Sequence, residues 1–432
     1  MSSTFCPLPW IHLATRPNGD VRLCCTSNAS GAGLDNEKQI GLVKSDNFVM
    51  NLQHQSLEEV WNSSFMKNTR LQMLNNEIPA SCAKCFNEES NGIVSKRQWE
   101  SVVWKDRVDI NSIVAQTQAN GELPVSIPYF DLRLGNICQL KCIMCSPHDS
   151  SAWIKEWKVQ YPKYKTFELS HDQRWDSKVN YNWYKKGSFL ESMRKQAHFI
   201  QELYFAGGEP LLIPEHYTIL EFMVEIGAAK NCVIRYNSNG LELPEKLFEL
   251  WKHFKQVKFN FSIDAVGEKN DYIRYPSKWK DVTANLHRLD DTPNNIIVNI
   301  ACAVQVLNVL YVADLVKWKQ QQNFKKINLP PYGAGLIGTH LVYLPDYLNV
   351  RVLPKELKEA VKQQVTKLCD TYSHDIEFQN NPYGKSRWQG LIQYMNQEDW
   401  SSKLPIMLEY LTVTDQQRNS NFREVFPELA IL

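Results

Sequence analysis

Eight of the eleven cysteines fall into groups whose spacing suits metal or redox chemistry. Cys138, Cys142 and Cys145 stand as C-x3-C-x2-C in LGNICQLKCIMC, residues 134–145. Three thiolates on one tight loop hold three irons of a cubane cluster, and the fourth iron, lacking a protein ligand, stays open. An open position is what a catalytic metal needs and a structural one avoids. The alternative is a zinc loop, but zinc sites favour four ligands in paired C-x2-C units, and no fourth partner stands nearby in sequence.

A second group lies upstream. Cys6 opens CPLPW, Pro17-Asn18-Gly19-Asp20 reads as a hairpin turn, and Cys24-Cys25 follow it; Cys82-Ala83-Lys84-Cys85 comes later. Four thiolates from these five ligate one further metal group, either a second iron–sulfur cluster or the zinc of a ribbon. Neighbours in a strand point to opposite faces, so only one of Cys24 and Cys25 faces the metal, and the Gly19-x4-Cys24 match favours Cys24. Cys232, Cys302 and Cys369 are isolated and read as small buried apolar residues. An odd cysteine count in a chain whose N-terminus shows no secretion signal argues against a disulfide framework, and a cytoplasmic location is the default.

The elements that must position these residues follow from composition and pattern. A chain of 432 residues needs two or three structural units. Lys+Arg at 48 against Asp+Glu at 47 gives no electrostatic footprint for nucleic acid, and no apolar run is long enough to span a membrane. We divide the chain at 1–125, 126–335 and 336–432. In the middle part, strand patterns at 129–134, 203–206, 233–236, 257–264, 296–304 and 327–329 alternate with helix patterns that begin at proline or acidic residues. Parallel neighbours need a crossover, so a curved partial (β/α)6 barrel is predicted, with its chemistry at the C-terminal strand ends. Polar motifs fall there: Gly207-Gly208-Glu209-Pro210, Asn237-Ser238-Asn239-Gly240, Ser262 and Asp264, then Gln305 and Asn308. Arg274 follows in DYIRYP, either a site residue or a surface arginine.

The triplet after a first strand, with GGEP ending the second, resembles the hallmark of radical S-adenosylmethionine (SAM) enzymes, and the resemblance runs in order along about half the chain. It implies an α/β fold: a partial radical SAM barrel, an N-terminal twitch-like auxiliary domain and a helical C-terminal tail. It implies a [4Fe–4S] cluster on Cys138, Cys142 and Cys145 whose unique iron chelates SAM. Gly207, Gly208, Glu209 and Pro210 would hold the SAM amino group. Asn237, Ser238, Asn239, Ser262 and Asp264 would serve the ribose and methionine carboxylate, Arg274 that carboxylate, and Gln305 the same ligand more weakly. Met144 stands where the family commonly has an aromatic residue against adenine. The upstream cysteines resemble the SPASM and twitch auxiliary modules, implying a further iron–sulfur cluster on Cys6, Cys24, Cys82 and Cys85.

What the resemblance implies is reductive SAM cleavage to a 5′-deoxyadenosyl radical that abstracts hydrogen from a substrate, with a reductase such as flavodoxin or ferredoxin as electron donor. Two substrate classes stay open: a peptide or protein that is oxidatively modified, and a small molecule such as a sugar, an aminocyclitol or a lipid headgroup. A zinc-bearing module without catalysis would make the ordered strand-end motifs a coincidence. No residue is assigned as catalytic acid or base. The segment 329–338, LPPYGAGLIG, is either a lid hinged on its glycines or a connector. Asp415–Arg418 and Phe426–Leu429 read as docking residues or helix ends without chemistry.

Overall fold

A computed structural model describes residues 2–27, 40–46, 48–90, 94–160, 178–328, 336–381 and 384–432. The chain forms two compact units, one of Met1–Ile137, Asp176–Arg235 and Pro244–Val257, the other of Cys138–Trp175, Tyr236–Leu243 and Lys258–Leu432. Strands in chain order are β1 (His12–Thr15), β2 (Val21–Arg22), β3 (Lys44–Ser45), β4 (Phe48–Val49), β5 (Tyr129–Leu132), β6 (Glu202–Phe205), β7 (Val233–Ser238), β8 (Gln256–Ser262), β9 (Ile296–Val304) and β10 (Gly338–Leu341).

In the first unit the hydrogen-bonded order is β6-β5-β1-β2. β1 and β2 form the hairpin around Pro17–Asp20, with Thr15 opposite Val21. β1 also pairs in parallel with β5, His12 against Tyr129 and Ala14 against Asp131, so the cysteine-bearing N-terminal segment supplies a strand to the same sheet as the barrel strands. β5 pairs in parallel with β6. All four residues of β5 are buried, as expected for parallel strands covered on both faces. Arg70 is buried as well. Its guanidinium donates to the carbonyls of Pro9 and Trp61 at 2.9 Å and of Gly121 at 3.2 Å, joining three segments; burial lowers its pKa to about 9.

In the second unit the order is β10-β9-β8. β8 alternates buried and half-buried residues, matching its sequence alternation, whereas β9 is buried along most of its length. β9 and β10 pair in parallel, Ala301 against Gly338. The helices Glu268–Ile273, Trp279–Asp290 and Val312–Gln321 follow their strands in alternation, and Lys355–Thr371, Lys385–Gln397 and Leu404–Arg418 make up the helical C-terminal part. Among the described residues no helix is long and apolar enough to cross a membrane.

Five of the six predicted barrel strands form close to their predicted bounds. The sixth does not: Ile327 lies in a turn, and the strand after β9 is Gly338–Leu341. The reason is local. The Asp290 carboxylate accepts from the amides of Lys325, Lys326 and Ile327, at 2.5, 3.0 and 2.9 Å, and three successive amides turned toward one carboxylate cannot join a ladder. Ile327 is buried as a plug instead. Residues 329–335 of the glycine-rich loop lie outside the described residues.

Candidate metal and SAM centres

The upstream thiols converge in the first unit. Cys6 precedes the helix Leu8–Ile11, and Cys24 follows β2. Cys82 ends the turn Ala80–Cys82, and Cys85 lies on the helix Ala83–Ser90; a spacing of three puts these two on one side of a helical path. Cys6, Cys24, Cys82 and Cys85 line one recess, with Thr26, Lys84, Lys96 and Arg97 also in its wall. The Thr26 hydroxyl lies 3.3 Å from Cys24 Sγ and 4.0 Å from Cys85 Sγ. Cys25 takes no part in the wall. Both cysteines sit in a turn rather than in β2, and that turn is set by Ser27, whose hydroxyl donates to the Cys24 carbonyl at 2.8 Å.

Burial raises the Cys6 thiol well above its ordinary value, with Cys82, Cys24 and Cys85 adding to the rise; burial and the neighbouring Cys24 push Cys82 up to about 12. Four crowded thiols of this kind ionise when a positive centre stands among them, which is the chemistry an iron–sulfur cluster supplies. Arg97 braces the recess: its guanidinium donates to the Phe5 carbonyl at 2.9 Å and to the Glu89 carboxylate at 2.9 Å, joining the Cys6 segment to the Cys85 helix. Lys96, beside it, pairs with the buried Glu100 at 2.7 Å. Neither residue is legible as part of a site in the sequence, because both act through folding contacts with distant segments.

In the same unit Gly207 and Gly208 adopt φ of +75° and +58°. A Cβ on Gly208 would stand 2.6 Å from the Ile137 carbonyl oxygen, so only glycine lets this turn lie against the residue before Cys138. The Glu209 amide donates to that carbonyl at 2.7 Å, and its buried carboxylate accepts from the Leu211 amide at 3.1 Å, with Pro210 beginning the turn.

The triplet lies in the second unit. Cys142 is buried, while Cys138 and Cys145 are half-buried. A hydrogen bond from Cys145 and the guanidinium groups of Arg274 and Arg418 lower the Cys142 thiol against the effect of burial, and the same hydrogen bond with burial raises Cys145. Asn239 Nδ2 lies 3.9 Å from Cys138 Sγ and 3.2 Å from Gln139 Oε1. Ser238 Oγ accepts from the Gly240 amide at 3.0 Å, and Asn237 Oδ1 accepts from Asn260 at 2.9 Å. Ser262 is half-buried at the end of β8.

Asp264 is buried beside a backbone amide and a guanidinium. Oδ1 accepts from the Ala303 amide at 2.7 Å, and Oδ2 lies 2.9 Å from Arg274 Nε. Arg274 Nη1 lies 3.9 Å from Cys142 Sγ, so this arginine is buried between carboxylate and cluster loop and is not on the surface. Asn308 ties Asp264 and Ala303 together, donating to both carbonyls at 2.9 Å. Gln305 is buried with neither end of its amide hydrogen-bonded, which suits a ligand that brings its own polar groups. Cys232 and Cys302 are buried, as expected; Cys369 differs, being half-buried on the helix Lys355–Thr371.

Comparison with known proteins finds two family models along the chain. Residues 132–302 match the radical SAM superfamily model, and residues 6–86 match a SPASM model described as an iron–sulfur cluster-binding domain. No curated protein matches the chain. Similar solved structures include native anSMEcpe with bound AdoMet (16% identity, 61% of this chain and 65% of that one, TM-score 0.39). Streptococcus suis SuiB bound to its precursor peptide SuiA matches at 13% identity over 71% and 63% of the two chains, TM-score 0.34. TYW1 with a lysine–pyruvate adduct matches at 17% over 55% and 72%, TM-score 0.28. The chain thus spans a little under two thirds of the length of the first two of these structures. The family matches enclose every cysteine grouped by spacing, and the chain is a radical SAM protein with an N-terminal SPASM-type domain, its cofactors a [4Fe–4S] cluster with SAM and an auxiliary iron–sulfur cluster.

Proposed function

We propose that this radical SAM enzyme oxidises a peptide or protein side chain or backbone. The observation that carries the oxidative reading is the recess ringed by Cys6, Cys24, Cys82 and Cys85, which provides for a second redox centre. Cluster and SAM, when bound, supply a 5′-deoxyadenosyl radical that takes a hydrogen atom from an unactivated carbon. An auxiliary cluster held by Cys6, Cys24, Cys82 and Cys85 would supply a one-electron acceptor, which would make the overall change an oxidation, the loss of a pair of hydrogens from the substrate. The choice of a peptide rests on the substrate class that SPASM-type modules often serve.

The chain's own residues take these roles. Cys138, Cys142 and Cys145 hold the SAM-binding cluster, and Cys6, Cys24, Cys82 and Cys85 the auxiliary one. The Gly207–Pro210 turn presents backbone groups and Glu209 to the SAM amino group. Asn237, Ser238, Asn239 and Ser262 offer hydroxyl and amide groups to the ribose, and the amide of Gln305 completes that wall. Arg274 pairs with Asp264, stands beside Cys142, and offers its guanidinium to the SAM carboxylate.

The test is anaerobic reconstitution of the full chain with assay of iron, sulfide, zinc and 5′-deoxyadenosine. About eight irons per chain, the content of two cubane clusters, and 5′-deoxyadenosine on reduction support the reading. Zinc without iron and no SAM cleavage overturn it. Peptides encoded beside the gene are then supplied: a product lighter by a pair of hydrogens supports the peptide class, and turnover of a sugar, aminocyclitol or lipid headgroup alone replaces it.

A further inference from the structure

Four consecutive carbonyl oxygens of the triplet loop each accept a hydrogen bond from a side chain. Ser150 Oγ donates to Leu140 at 2.5 Å, Arg418 Nη2 to Lys141 at 3.0 Å, Trp153 Nε1 to Cys142 at 3.0 Å, and Tyr410 Oη to Ile143 at 2.7 Å. The intervening amides are held too, Lys141 by the Tyr275 carbonyl at 2.6 Å and Ile143 by that of Ile273 at 2.8 Å. Backbone groups left free in so short a loop would let the three thiols drift apart; here the loop is bonded along its length.

Two of the four donors, Tyr410 and Arg418, come from one helix, Leu404–Arg418, in the part of the chain whose sequence carries no recognisable chemistry. Arg418 has only 2% of its side chain exposed. Its guanidinium pairs with Glu156 at 3.1 Å and lies over the rings of Trp153 and Tyr275, at 4.6 and 4.9 Å. The helix is itself anchored near its end, where Tyr272 donates to the Asp415 carboxylate at 2.9 Å and the Phe422 amide donates to its other oxygen at 2.8 Å.

We propose that Tyr410 and Arg418 are positioning residues of the SAM-binding cluster, Tyr410 fixing the backbone between Cys142 and Cys145 and Arg418 fixing it before Cys142 while adding buried positive charge. The proposal rests on the assignment of Cys138, Cys142 and Cys145 as the ligands of that cluster. Groups one layer out from a metal's ligands orient them, and charge and hydrogen bonding near a cluster set its reduction potential. A buried cation favours the reduced, more negative cluster, so its loss lowers the potential. A lost carbonyl donor loosens the ligand loop.

The experiment compares the reconstituted full chain with Tyr410→Phe, Arg418→Gln and Arg418→Lys. Readouts are the midpoint potential of the paramagnetic signal that responds to added SAM, the rate at which a chelator removes iron from that cluster, and the melting temperature. Arg418→Gln is expected to lower the midpoint potential, with Arg418→Lys restoring most of the shift. Tyr410→Phe, which removes a single hydroxyl, is expected to release iron from the SAM-responsive cluster several-fold faster while the auxiliary signal stays unchanged. Wild-type potential and iron retention in all three variants, or a fall in melting temperature with neither readout moved, overturns the proposal. A wild-type chain that shows no SAM-responsive signal instead removes the ligand assignment beneath it.

Discussion

Arg274 Nε lies 2.9 Å from Asp264 Oδ2, with both side chains buried and the same guanidinium 3.9 Å from Cys142 Sγ. Burial lifts the Asp264 carboxyl above its ordinary value, and Arg274 and the Ala303 amide pull against that rise. Burial alone would lower Arg274, but Asp264 and Cys142 reverse this and hold it raised. One ion pair thus joins the end of β8 to the cluster loop. Arg274→Gln leaves a carboxylate buried without its partner, a change that costs about 3–5 kcal/mol. Denaturant unfolding is expected to show that loss, and the double variant Arg274→Gln with Asp264→Asn to recover much of it. Equal stability of the single and double variants would show that the pair is not coupled.

The division between Cys24 and Cys25 is open to a direct count. Cys24 lines the recess with Cys6, Cys82 and Cys85, and Cys25 does not. Cys24→Ala is expected to remove about half the iron of a chain carrying two cubane clusters, and Cys25→Ala to leave the content unchanged. Iron and sulfide analysis with electron paramagnetic resonance reads the difference; the reverse result would assign the ligand to Cys25.

Gly208 tests how closely the second strand-end motif approaches its neighbour. Its φ of +58° and a Cβ position 2.6 Å from the Ile137 oxygen leave no room for a side chain. Gly208→Ala is expected to cost about 1–2 kcal/mol from the left-handed backbone alone, before the clash is counted. Gly227, at φ +77° with open space around its Cβ position, is the control: Gly227→Ala bears the backbone cost without the clash. SAM binding measured by calorimetry should fall for Gly208→Ala and hold for Gly227→Ala.

Lys319 gives a pH signature of its own. Its ammonium is buried, donates to the Leu336 carbonyl at 2.5 Å, and has its pKa lowered by burial to about 7. A base whose folded pKa lies below its unfolded one contributes stability that is fully present above the unfolded pKa, 10.5, and is lost as pH falls through about 7. Between these values the wild-type chain is expected to gain stability with rising pH, at a slope of up to about 1.4 kcal/mol per pH unit. In Lys319→Met the slope from this group should vanish. Unfolding by urea at pH 7, 8 and 9 measures it; parallel profiles for the two proteins would show that the lysine does not titrate in this window.

The chemistry-bearing groups were legible in the sequence because they are local. C-x3-C-x2-C, GGEP and the cysteines around Gly19 are short-range patterns, and the backbone demands of a ligand loop and a glycine turn are met within a few residues of chain. Strand alternation and proline-led helices likewise made five of the six barrel strands readable, since hydrophobic periodicity reports which face is buried. The sixth strand moved to Gly338–Leu341 because the Asp290 carboxylate captured three amides some 35 residues away, a competition that no local pattern records. The same limit applies to Arg274 finding Asp264, to Arg97 joining Phe5 to Glu89, and to Tyr410 and Arg418 reaching loop carbonyls 267 and 277 residues upstream. Ligand identity follows from spacing along the chain. Which groups orient those ligands, and with what charge, is settled by burial, where an unpaired polar group is costly enough to select partners from anywhere in the fold.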